Sequence, residues 1–460
     1  ANKKILYATP TSLTEEAASD QPGGNVWLKE STVYLKLDYV KKYTDIDSYI
    51  YKDPARIAIQ YKFSNVQTVT VKKDTVIRYR GGIKSKILTK TAKDTVLRLM
   101  NEGEDWDQVA TDDGYIGYIQ KKKVSAADTT DYKRSFKAEA YSYFTMDEPV
   151  NLAWHQVTST DANNYFADTT QNMTGVNVIS PTWFSVSDND GNVSSLASGE
   201  YVMQAHEKGL KVWGLVDNFS ENMSTTTVLS NTAARQNLEN QLVTYALKAG
   251  LDGINVDFES LSEDVGIHFL QFLRELSIQC HENNLVLSVD NPVPEDFTSH
   301  YDRKEQGLVV DYVIIMGYDE HYVGSDAGSV ASLPWVEQGV QDTIAEVTPE
   351  RTILAIPFYT RLWKTTGGAV TSEAIGMDEA QNVLSTNGVE AVWDGSVGQN
   401  YATFEQDNST YQIWLEDAQS IAEKVKLIQK YNLAGVAQWK LGFENSSIWQ
   451  TISDNLQAAS

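Results

Sequence analysis

Two textures of apolar and polar positions divide the chain near residue 136. Before it, apolar residues come in short alternating runs, as at 33–37 and 56–61, broken by Asp, Gly and Pro; this predicts a small β-rich segment over 1–65. Over 66–125 the signals become regular, with strands expected at 74–79, 96–100, 106–110 and 115–119, separated by Gly81-Gly82, Glu102-Gly103 and Asp113-Gly114 turns. That pattern is a compact all-β barrel. Small polar residues over 126–135 read as a linker.

After residue 136, apolar runs alternate with long helical periods such as 233–248 and 265–282. Strands are expected at 138–144, 176–183, 211–216, 253–258, 286–290, 312–317, 352–358 and 435–439. Eight such units predict an α/β fold, a TIM (β/α)8 barrel, with functional residues at the carboxyl ends of its strands. A doubly wound sheet is the structural rival, and no Gly-rich dinucleotide loop follows any of the strands. One connection is abnormally long: between 358 and 435, strand-like pieces at 390–393, 401–406 and 411–415 precede a helix at 418–431. This predicts a small α+β insertion between the seventh and eighth strands, at about 364–415, forming one wall of a cleft.

Charge and composition then narrow the function. The 460 residues carry a formal net charge of −24 spread along the chain, which disfavours nucleic acid as a partner. No apolar run is long enough for a membrane span in this chain, and no basic-then-apolar leader stands at Ala1; an export signal or anchor is read as removed. The lone Cys280 falls in a helical run and reads as a small buried hydrophobe. Neither His206 nor His281 heads a metal-binding HExxH, so no metal or cofactor is expected.

The chemistry concentrates in Asp252-Gly253-Ile254-Asn255-Val256-Asp257-Phe258-Glu259. Alternate strand residues share a face, so Asn255, Asp257 and Glu259 point into the barrel while Ile254, Val256 and Phe258 meet helices. Two carboxylates on one face cannot both ionise cheaply, which helps keep one protonated as a general acid. An acidic pair capping a solvated strand end is the bland alternative. The apolar outer face and the position at the barrel mouth favour chemistry.

This run resembles the DGxDxDxE signature of glycoside hydrolase family 18, the chitinase-like enzymes, with Asp252, Gly253, Asp257 and Glu259 matching and Asn255 standing where the signature has its innermost Asp. The resemblance implies retaining, substrate-assisted hydrolysis, in which the sugar's 2-acetamido oxygen attacks the anomeric carbon. Glu259 would protonate the leaving oxygen and later activate water, and Asp257 would hold the acetamido N–H. The missing inner Asp, which in the family shares a proton with the central one, implies a different pH profile.

The resemblance extends over 138–460 and implies further roles. Met316, Tyr318 and Asp319 are similar to the family's MxYD strand, with Tyr318 donating to the acetamido oxygen and Asp319 meeting a hydroxyl. Tyr359 and Arg361 would enter the cleft from the seventh strand, and Trp439 would form the floor under the reacting sugar. Tyr143, ending the first expected strand, and Asn218, after the third, are further substrate-binding candidates. Trp414-Leu415-Glu416-Asp417 and the run 431–437 are similar to the wall- and spore-associated bacterial branch. The pattern from Arg78 through Trp106 to Asp113-Gly114-Tyr115 resembles bacterial Src-homology-3-like domains, which implies cell-wall contact by the N-terminal part.

The expected partner is thus a polysaccharide, chitin oligomers or peptidoglycan glycan strands, met in an extracellular or cell-surface setting. Two alternatives stay open: a non-catalytic chitinase-like carbohydrate-binding protein, and an adhesion protein whose barrel is a spacer. Known lectin-like relatives typically replace the acid, so Glu259 discriminates.

Overall fold

The computed structural model describes residues 26–29, 32–138 and 140–457; the β-rich expectation for 1–25 lies outside them. The chain forms two compact units that part at Ala140 and Tyr141. In the first, the ribbon Val26–Lys29 with Thr32–Leu35, the helix Leu37–Tyr43 and the hairpin of Asp47–Lys52 with Ala55–Gln60 precede a seven-stranded antiparallel sheet. Alternation in these strands points Val69, Ile77, Leu97, Val109 and Ile119 into one small core. The expected linker is corrected in part: Asp128–Thr130 is the edge strand of that sheet, pairing with Val66–Thr70. Its Thr pair suits a strand, and Thr130 Oγ1 meets Thr68 Oγ1 at 2.9 Å.

The second unit is the (β/α)8 barrel. Its parallel strands are β1 (Val150–His155), β2 (Val178–Val186), β3 (Lys211–Asp217), β4 (Gly253–Asp257), β5 (Val286–Pro292), β6 (Tyr312–Met316), β7 (Thr352–Pro357) and β8 (Gly435–Trp439). Pairing of β1 with both β2 and β8 closes the ring. These strands are buried on both faces, and so read as continuous apolar runs.

Two cores result. Leu152, Trp154, Trp213, Leu215, Tyr312 and Ile314 fill the interior, while outward residues such as Ile254, Val256 and Phe258 meet the helices. Phe258 stacks on Phe272 at 5.5 Å between centroids. Helices are bounded by ordinary signals: Asn231 caps Thr232–Ala249 by accepting from Ala233 N and Ala234 N, and Gly250 ends it at φ 79°. Gly253 opens β4 because a Cβ there would lie 2.7 Å from the Val286 carbonyl and 2.8 Å from the Trp213 ring.

The first barrel strand is Val150–His155, not 138–144, where residues 140–144 carry no strand. The aromatic alternation of Tyr141 to Phe144 mimics a strand, but these residues pack beneath the barrel. The Tyr143 hydroxyl donates to the Leu308 carbonyl at 3.3 Å, the Arg351 guanidinium lies 3.7 Å from its ring centroid, and Phe144 N donates to Asp311 just before β6.

The insertion begins earlier than the expected 364. Tyr359–Thr366 leaves β7 directly and joins Ala369–Gly376, Ser409–Leu415, Gln399–Gln406 and Val392–Asp394 in a five-stranded sheet that carries the helix Met377–Asn387. A fully buried ion pair, Lys424 Nζ to Glu416 Oε1 at 2.9 Å, ties the following helix Ala418–Lys430 to the end of that sheet.

Candidate active site

The parallel register sets the site. Asp217 on β3 pairs with Asp257 on β4, and one step beyond the Val256 to Val289 pair Asp257 faces Asp290 on β5. Three inward carboxyls thus stand side by side on adjacent strands, about 4.8 Å apart in strand spacing. Glu259, two residues on, lies at the rim and is partly exposed.

Burial dominates the protonation of this cluster. It pushes Asp257 well above the usual carboxylate range, assisted by the charges of Asp290, Glu259 and Asp217. It does the same to Asp290, against the opposing hydrogen bond from Asn255. Glu259 is raised by burial and then by Asp319 and Asp217, and Asp217 is raised by burial. A Glu raised in this way at a cleft rim holds its proton to higher pH than a free carboxyl does, the direction a general acid needs.

Asp257 Oδ1 is buried and has no hydrogen-bond partner in the protein. Such an acceptor is costly to bury unless a ligand donor completes it. Glu259 is held by its backbone: Asn218 Oδ1 accepts from Glu259 N at 2.9 Å, and Asn218 Nδ2 donates to the Glu259 carbonyl at 3.0 Å and to Thr225 Oγ1 at 3.0 Å.

Tyr318 is buried beside the carboxyls, its phenol driven well above its ordinary range by burial and then by the charge of Asp257. It remains a neutral donor. Its ring meets Tyr359 edge-on at 6.1 Å, and the Tyr359 hydroxyl donates to Asp319 Oδ1 at 2.5 Å. Asp319 holds φ 65°, which turns its side chain back toward Tyr359. Met316 ends β6, and Trp439 ends β8 half-buried with its ring edge-on to Trp154 at 6.0 Å.

Two expected substrate contacts, Asn255 and Tyr143, are corrected, while Asn218 and Arg361 have partners within the protein. Asn255 is fully buried and spends its whole amide inside the barrel: Oδ1 accepts from Trp154 Nε1 at 2.9 Å and Ser180 Oγ at 3.2 Å, while Nδ2 donates to Asp290 Oδ1 at 2.8 Å and Ser288 Oγ at 3.0 Å. Asn218 is likewise committed to the Glu259 backbone. Tyr143 lies at the amino end of β6, away from the strand ends that carry the carboxyls. Arg361 belongs to the insertion sheet, where its guanidinium donates to Ser372 at 3.1 Å and its buried Nε lacks a partner. Asp252, in the matched signature, sits at the amino end of β4 and accepts from Val212 N, His206 and Lys211.

Sequence reasoning missed Asp217 and Asp290. Each is an acidic residue in the carboxyl-terminal part of an apolar parallel strand, the same signal that marked Asp257.

The model of the family described as "Glycosyl hydrolases family 18" matches residues 115–444. The chain belongs to family 18 of the glycosyl hydrolases. It is 25% identical over 292 residues to the Bacillus subtilis "Uncharacterized glycosylase YvbX", covering 61% of this chain and 84% of that one. To the Bacillus subtilis "Cortical fragment-lytic enzyme" it is 25% identical over 236 residues, which span 49% of this chain and only 55% of that one. The chitinase structure from Chromobacterium violaceum superposes with a TM-score of 0.60 at 22% identity, over 67% of this chain and 99% of that one. Membership of this family, with a cortical fragment-lytic enzyme among the relatives, marks the chain as a glycoside hydrolase. No helix among the described residues is long and apolar enough to cross a membrane.

Proposed function

We propose that this chain hydrolyses β-1,4-linked N-acetylglucosamine polymers, chitin oligomers or peptidoglycan glycan strands, with retention and with the substrate's acetamido oxygen as nucleophile. The observation that carries the reading is the pair Asp257 and Glu259: a buried carboxyl with an unpartnered Oδ1 lies two residues from a partly exposed carboxyl that burial and the charges of Asp319 and Asp217 raise above its ordinary range. Glu259 protonates the leaving oxygen and afterwards takes a proton from water. Asp257 accepts the acetamido N–H and offsets the positive charge of the cyclised intermediate, and Tyr318 donates to the acetamido oxygen. Trp439 offers a ring face to the sugar.

The names of the relatives support wall glycan and chitin as substrates to be compared. The first unit is proposed to be Src-homology-3-like and to contact wall polymer, and the setting to be extracellular or cell-surface. Mass spectrometry of products from chitooligosaccharides and purified peptidoglycan, run in parallel, tests this. Cleavage of neither would remove the proposed substrate class, and sugar binding without cleavage would favour the carbohydrate-binding alternative.

A further inference from the structure

The carboxyl ends of the barrel strands are acidic but for one position. From the last residue of each strand through the third residue beyond it stand Asp188, Asp217, Asp257, Glu259, Glu295 and Asp319, and Lys440 is the sole Lys or Arg. Lys440 follows Trp439 directly at the end of β8. In a chain of net charge −24 it nevertheless forms no ion pair among the described residues. Its Nζ instead donates to Gln156 Oε1 at 2.6 Å and lies 4.4 Å from the Phe443 ring centroid.

Those two partners tie the amine to the cleft. Gln156 comes two residues after Trp154, whose indole faces the barrel interior edge-on to Trp439 at 6.0 Å, so it continues the inner side of β1 above the paired rings. Phe443 meets Tyr359 at 6.4 Å between centroids, and the Tyr359 hydroxyl donates to Asp319. His155, driven down to about 4 by burial and then by Lys440, is neutral beside the amine. Lys440 is half-buried, and burial lowers its ammonium with no carboxylate to counter the cost. A desolvated cation held only by neutral groups is completed by an anionic ligand.

We propose that Lys440 is a specificity-determining residue that selects acidic glycan, its ammonium pairing with a carboxylate carried by a sugar next to the reacting N-acetylglucosamine. Peptidoglycan supplies that anion and chitin does not. Every second sugar of a peptidoglycan strand bears a lactyl ether, whose carboxylate is either free or extended by a stem peptide with carboxylates of its own. Both sources present the same chemistry to an amine. A Lys suits it, because a compact charge on a flexible stem can follow a carboxylate without demanding one fixed plane. The preference among cleaved polymers rests on the proposed reaction; the anion site does not.

The test compares soluble substrates of matched length on the full chain: chitooligosaccharides, peptide-free glycan strands with free lactyl carboxylates, and stem-bearing strands. In Lys440→Gln, KM on an acidic strand should rise about tenfold or more beyond any change on chitooligosaccharides, with kcat little changed, as for the loss of a charge-assisted hydrogen bond. Lys440→Arg keeps the charge and should keep the preference. A loss on peptide-free strands assigns the lactyl carboxylate, and a loss confined to stem-bearing strands assigns the stem. Wild-type affinity for acidic strands should weaken with added salt while that for chitooligosaccharides holds, a measurement that serves if Lys440→Gln does not fold. Equal changes on all the substrates, or acidic-strand affinity that ignores salt, overturns the proposal. Binding of uncleaved strands to Glu259→Gln, with and without Lys440→Gln, separates this site from the reaction. A Lys440-dependent affinity for acidic strands in a protein whose wild type cleaves no polymer keeps the anion site and removes the reaction; cleavage with Lys440-independent affinity does the reverse.

Discussion

Asn218 grips Glu259 at both edges of its backbone, accepting from its N–H at 2.9 Å and donating to its carbonyl at 3.0 Å. The acid sits just past the end of β4, where the sheet no longer holds it, and the next residue, Ser260, adopts φ 52°. A side-chain amide thus does for Glu259 what a neighbouring strand would do. Replacing Asn218 by Ala should lower kcat by about 10- to 100-fold, because small misplacements of a reacting group are costly. KM should change little, and stability should fall by about 1–3 kcal/mol for the two backbone groups left unpaired. Steady-state kinetics beside thermal melting separate these effects; a loss confined to KM would place Asn218 on the substrate instead.

Glu259→Gln should fold and bind oligosaccharide while turnover falls by about 10²–10⁴-fold, since an amide keeps the shape and cannot give up a proton. Isothermal titration and kinetics on the same oligomer check both halves. Near-wild-type turnover would end the assigned role.

The pH profile follows from the same carboxyl. Glu259 must be protonated to act, so kcat declines as pH rises through its raised pKa. Asp319 and Asp217 are the charges that hold it up. Asp217→Asn keeps the Ser185 contact yet removes one of those charges, and the basic limb should move to lower pH. A limb that stays in place would show that Asp217 does not sense Glu259.

Stability carries its own pH signature. Asp257 is raised in the folded state above its unfolded value near 3.9. Folded protein therefore binds more protons between those two values, and stability falls as pH rises across that window. Asp257→Asn removes the penalty: its melting temperature should exceed wild type at neutral pH, with the gain shrinking toward about pH 4 and below. At the same time it should cost rate on substrates that use their acetamido group more than it costs binding. Equal melting curves at neutral pH would mean that Asp257 is not strained by burial.

Stereochemistry distinguishes the acetamido route from attack by a protein carboxylate. The first-formed product should keep the β configuration by proton NMR, and a thiazoline analogue of the cyclised intermediate should bind much more tightly than product sugar. Substrate with a free amine at the reacting sugar should not be cleaved. An α product, or a covalent ester trapped on any carboxylate, would mean a different mechanism.

The alternation of β4 by itself determined that Asn255, Asp257 and Glu259 share the inner face, because the side-chain period of a strand is two whatever surrounds it. Apolar runs and helical periods likewise determined the barrel, since strands covered on both faces must read that way. Tertiary structure decided the rest. The residues from Tyr141 to Phe144 alternate like a strand, yet pairing went to Val150–His155, which is buried along its whole length. Burial by distant elements outweighs local propensity. Register between strands, invisible in one strand's pattern, brought Asp217 and Asp290 to either side of Asp257. Tertiary contact also set the Asn255 amide against Asp290 and the Asn218 amide against the Glu259 backbone. A polar residue's type is written in the sequence, but the partner that satisfies it is set by which strand lies alongside.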